Sequence, residues 1–123
     1  MEINLPSDCG NSPRIAIVGD VVTHWAGRDA EPLAAWLADD VRWSIVGQET
    51  HHGPDAVERV FPEGTVNRLE VASIVTHGRL ASCDGVLTTD SGQISFSHVL
   101  RFAGATKTAR IAEVRTYLVR PTD

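Results

Sequence analysis

LASCDGVLTTDSGQISFSHVLRF, Leu80 to Phe102, decides the architecture, because it reads as two strands folded back on each other at Asp90-Ser91-Gly92. Two β-favouring runs flank a short turn ending in Gly, the residue that most easily takes positive φ at the last loop position. Read as a three-residue loop, the turn sets Thr89 opposite Gln93. It then sets Val86 opposite Phe96, Asp84 opposite His98, Ser82 opposite Leu100 and Leu80 opposite Phe102. Side chains alternate across a strand, so these residues share one face, largely apolar, with Asp84 and His98 in its middle. A carboxylate facing an imidazole there is either a satisfied structural pair or a His base oriented by an Asp. In the second case the apolar surroundings lower the imidazole's proton affinity and the carboxylate raises it, so the pair titrates near neutral pH.

Working outward, the Gly104–Ala109 loop sets a second register. It pairs Phe102 with Ala112, Leu100 with Val114, His98 with Thr116 and Arg101 with Glu113. The inner face thereby gains a polar row, Asp84, His98 and Thr116, and the outer face an Arg–Glu pair that reads as a solvated or interfacial ion pair. Upstream, Val66–Thr76 reads as a long strand turning at His77-Gly78, and Arg110–Val119 as the last strand. Val41, Trp43 and Ile45 alternate as a short strand with Trp43 inward.

Helix signals precede the strands. Ser12-Pro13 supplies an N-cap and a first-turn proline, and Ile15, Val18, Val22 and Trp25 recur at helical spacing up to Gly27, the expected left-handed stop. Asp29 opens a second helix with Leu33, Trp36 and Leu37 on its buried stripe, closing at Asp39-Asp40. Gly53-Pro54-Asp55 opens a third, Pro54 to Phe61. Helices followed by antiparallel strands define an α+β class, with three N-terminal helices laid on a curved antiparallel sheet. Residues 1–11 read as a loose tail and residues 12–120 as a single domain.

Composition limits function. The chain has 123 residues, a net charge of −5 and scattered basic residues, which argues against nucleic acid as a partner. It has neither a membrane-length apolar run nor a signal-peptide pattern, so a cytoplasmic location is expected. Cys9 and Cys83 have no disulfide or metal-ligand spacing, and the adjacent His51 and His52 point to opposite sides of an extended segment. Neither a metal nor another cofactor is expected.

The run THWAGRDAEPLAAWLADDVRWSIVG, then HHGPDAVERVF, then IAEVRTYLV, resembles the SnoaL-like branch of the nuclear transport factor 2-like superfamily, over nearly the whole chain after residue 12. That superfamily includes ketosteroid isomerases, polyketide cyclases and limonene-epoxide hydrolases. The resemblance implies a cone of curved sheet closed by three helices, an apolar internal pocket and a homodimer through the outer sheet face. It implies no single reaction. The isomerase pattern's general-base Asp falls at Ile45, its oxyanion-binding Tyr at Val21 and its oxyanion-hole Asp at His98; the hydrolase pattern's last-strand Asp falls at Thr116. The chemistry of those relatives is therefore not carried over intact.

The expected function is binding of a small apolar molecule, with His98 and Asp84 as an isomerase- or cyclase-type catalytic pair and Trp43, Phe96, Leu100, Phe102 and Thr116 lining the pocket. The alternative is a non-catalytic module that holds a hydrophobic ligand or serves dimerisation.

Overall fold

The computed structural model describes residues 1–7 and 12–121. In chain order these form β1 (Glu2–Asn4), α1 (Pro13–Gly27), α2 (Ala30–Ala34), β2 (Leu37–Ile45) and β3 (Thr50–His52). A 3-10 turn (Pro54–Ala56) then runs into α3 (Val57–Val60), followed by β4 (Val66–His77), β5 (Leu80–Thr89), β6 (Gly92–Phe102) and β7 (Ile111–Val119). The seven strands make one sheet in the order β1-β4-β5-β6-β7-β2-β3.

The sheet is mixed. Its centre, β4 to β7, is antiparallel as expected, but β1 runs parallel to β4 and β2 runs parallel to β7. Glu2–Asn4, read from sequence as part of a tail, pairs with Arg68–Glu70 instead; Cys9 and Gly10 lie outside the described residues. The third helix lies where the sequence places it, after a strand, but only as the 3-10 turn running into the single-turn α3. The second helix stops at Ala34, and Leu37, expected on its buried stripe, is already the first residue of β2, 1% exposed.

Helix α1 begins as its sequence dictates. Ser12 is the N-cap, its hydroxyl accepting from the Arg14 N–H, and Pro13 occupies the first turn. The left-handed stop falls on Arg28 (φ 60°) rather than on Gly27, and the Arg28 side chain is anchored by donating to Pro62 O at 2.6 Å. Ile17, Val18, Val21, Val22 and Trp25 bury the helix against the sheet, and Trp25 Nε1–H donates to Val60 O at 2.7 Å, tying α1 to α3.

Of the four register shifts in the sheet, two bear on the site. Strand β4 shifts register between Val71 and Ser73, and there Gly85 of β5 passes so close that a Cβ on it would sit 2.0 Å from Glu70 O. Only a residue without a side chain permits that approach. The second irregularity, between Arg101 and Phe102, pairs Phe102 with Ile111 and turns Ile111 inward, fully buried, where the simple register placed it on the outer face.

Candidate functional site

The β5–β6 hairpin determines which side chains share the interior. Gly92 does adopt the positive φ (126°), but it is itself paired with Thr89, so the loop holds two residues, Asp90 and Ser91. Thr89 fastens the turn: its hydroxyl donates to Gly92 O at 3.0 Å and accepts from the Ser91 N–H at 3.2 Å. Relative to the three-residue reading the register slips by one. Cys83 faces His98 and Asp84 faces Ser97.

A one-residue slip moves every side chain of a strand to the other face. Ala81, Cys83 and Leu87 are therefore buried, and Asp84 lies on the exposed outer face, accepting a hydrogen bond from Ser73 Oγ. The expected Asp84–His98 pair is thus corrected: the two residues lie on opposite faces, and no carboxylate among the described residues orients the imidazole. A groove of about 350 Å³ that reaches Asp84, with Ser73, Ser82, Ser97 and Tyr117, is an outer-face feature.

The β6–β7 register, by contrast, places His98 opposite Thr116, Leu100 opposite Val114 and Arg101 opposite Glu113. Trp43, Phe96, His98, Leu100, Phe102 and Thr116 are all buried on the inner face, each no more than 3% exposed. Of the expected site residues, only Asp84 is separated from this group.

A hydrogen-bonded chain runs through it. Trp43 Nε1–H donates to Thr116 Oγ1 at 2.8 Å, and Thr116 Oγ1 lies 2.8 Å from His98 Nδ1. With one lone pair of the hydroxyl oxygen taken by the indole, we assign its proton to Nδ1, which puts the imidazole proton on Nε2. Nε2 is buried and has no hydrogen-bond partner. Around the ring pack Trp25, edge-on with centroids 4.2 Å apart, Phe96 at 5.3 Å and Trp43 at 6.2 Å. Burial alone pushes the imidazole pKa down to about 3, so His98 is neutral at physiological pH. The Cys83 thiol opposite is pushed up to about 12, chiefly by burial, which leaves it unreactive.

Sequence reasoning treated Trp25 only as packing and did not single out Arg14. Yet Arg14 is one of three buried polar or charged side chains among the described residues, with His98 and Thr116. The available signal was its position: a cation in the first turn of a helix faces the positive end of the dipole and needs special surroundings. His51 and His52 pair with Trp43 and Arg42 along β3, and no cluster of three metal-ligating side chains occurs among the described residues. No helix among them is long and apolar enough to cross a membrane.

Several solved structures similar in shape identify the architecture. A Burkholderia xenovorans nuclear transport factor 2-like protein of unknown function superposes with TM-score 0.73 at 15% identity, over 90% of this chain and 85% of the other. This chain has the nuclear transport factor 2-like fold. A Kribbella flavida protein provisionally called a ketosteroid isomerase gives TM-score 0.72 at 20% identity, over 90% and 81% of the two chains. A Burkholderia pseudomallei relative in shape, also of unknown function, gives 0.68 at 24%, over 89% and 92%. No protein-family model matches the chain, and no curated protein does.

Proposed function

We propose that this nuclear transport factor 2-like chain binds a small, mainly apolar molecule carrying one carbonyl oxygen, with His98 Nε2–H as the donor that selects it. The observation that carries the reading is the unpartnered Nε2 on an otherwise apolar inner wall. Buried donors are normally satisfied, and an orphan costs enough to call for an explanation. A neutral imidazole held in one tautomer is suited to donate to a carbonyl, and the Trp43–Thr116–His98 chain holds it so.

Binding is favoured over proton-transfer catalysis. An imidazole with a pKa near 3 is a weak base, and the other buried polar side chains, Thr116 and Arg14, are not carboxylates. Trp25 fills the space against His98, 0% exposed, and is anchored to Val60 O, so room for the ligand opens as α1 lifts from the sheet.

The test is tryptophan fluorescence titration with a cyclic terpenoid ketone and its hydrocarbon counterpart. The ketone is expected to bind roughly fivefold to tenfold tighter, the worth of one net hydrogen bond, and His98→Phe to erase that preference. Equal affinities for the two in the unaltered protein would defeat the reading, and steady conversion of the ketone would replace it with an enzymatic one.

A second reading, a module for self-association, is supported by the outer face. Val75, Leu80, Tyr117 and Val119 there are 59%, 43%, 39% and 65% exposed. A homodimer covering them is compatible with ligand binding inside. Sedimentation at micromolar concentration tests it, and a monomer counts against it.

A further inference from the structure

We infer a second site, at the N-terminal end of α1, that takes a small oxyanion such as the phosphate group of a metabolite, with Arg14 as its principal ligand. Arg14 is 7% exposed. Its guanidinium lies over the Phe102 ring at 3.8 Å, and Nη2–H donates to Thr106 O at 2.7 Å and more distantly to Gly104 O at 3.5 Å. Nη1 is buried with no partner, and no carboxylate among the described residues pairs with Arg14.

A buried guanidinium with carbonyl and aromatic contacts but no counter-anion is an incomplete set. Carbonyl dipoles and a ring face orient the cation without neutralising it. Arg14 also sits in the first turn of the 15-residue helix α1, which has no acidic residue there. Helix dipole and guanidinium therefore add, rather than cancel, at one point. The backbone does not complete the site: the Arg14 N–H is taken by Ser12 Oγ and the Ile15 N–H by Ser12 O. The side chain is what remains to bind.

Arg14 lines a cavity of about 260 Å³, together with Ser12, Thr76, His77, Gly78 and Lys107. Among the described residues its lining includes two cationic side chains, Arg14 and Lys107, and no carboxylate. A guanidinium fork matches the paired oxygens of a phosphate, and an exposed lysine at the rim adds a point charge. On a chain whose net charge is −5, such a concentration of positive potential marks a place rather than a general property. The site lies apart from His98, and neither reading depends on the other.

The test uses the full-length protein titrated with sodium phosphate, against sodium chloride at matched ionic strength, followed by amide NMR shifts. A saturable response at Ser12–Ile15, His77–Gly78 and Lys107 is expected. Arg14→Gln is expected to abolish it, and Lys107→Glu, a change at an exposed position that does not threaten folding, to weaken it about tenfold. Sodium acetate in a parallel titration separates phosphate from carboxylate preference, and either oxyanion saturating the site supports the inference. Absence of saturation by both, or binding undiminished in Lys107→Glu, would overturn it.

Discussion

Strands β6 and β7 carry a polar cluster on each face, and the two obey different electrostatics. Inside, Trp43, Thr116 and His98 form a neutral chain sealed by aromatic rings. Outside, Glu113 gathers Arg42 and Arg115 at 2.9 Å and Arg101 at 3.9 Å, with the arginines 40–60% exposed and Glu113 21% exposed. The outer cluster has formal charges and the inner one has none, yet the inner is the more consequential. Water screens and competes with the outer ion pairs, whereas a lost partner inside has no replacement.

The sharpest way to break the contrast is Thr116→Val, which keeps the shape but strips both Trp43 Nε1–H and His98 Nδ1 of their shared partner. Two orphaned buried groups should lower stability by about 2–6 kcal/mol in denaturant unfolding. A loss below about 1 kcal/mol would mean that the interior is wetter than its burial indicates.

Next in size is a pH effect. His98 has a folded-state pKa near 3, below the ordinary 6.5, so the unfolded chain takes up the proton first. Its contribution to stability is therefore fully present above about pH 6.5 and is lost as pH falls toward 3, at about 1.4 kcal/mol per pH unit within that window. His98→Gln should flatten the difference in unfolding free energy between pH 6.5 and 4.5 by that slope. Identical pH profiles for variant and parent would show that His98 is solvated.

The smallest effect belongs outside. Glu113→Gln should cost less than about 1 kcal/mol, and raising salt should shrink the difference further. A penalty as large as that of Thr116→Val would place the arginine cluster in a dry interface, which is also what a homodimer across this face would produce.

The same strands explain what could be read from sequence. The β6–β7 register was legible because β6 alternates without ambiguity: Ile94, Phe96, His98, Leu100 and Phe102 are all buried, and Ser95, Ser97, Val99 and Arg101 point the other way. Strand β5 offers no such contrast. Leu80, Ser82 and Val86 on one set and Ala81, Cys83 and Leu87 on the other are about equally apolar, so the pattern could not choose between a two- and a three-residue turn. The deciding atom was Thr89 Oγ1, whose bonds to the turn backbone carry no periodic signature. Asp84 moved out of the site for that reason alone. The parallel pairings of β1 and β2 were equally hidden, since they join segments distant in sequence with no turn between them to fix a register.

Helix α1 is fastened at both ends: Arg14 to the 104–106 loop at one, Trp25 to Val60 and Arg28 to Pro62 at the other. A rod latched only at one end swings like a door; one latched at both can only be lifted whole. Opening along α1 is therefore expected to be concerted, with its amides exchanging with solvent together in a hydrogen-exchange measurement rather than fraying from a tip.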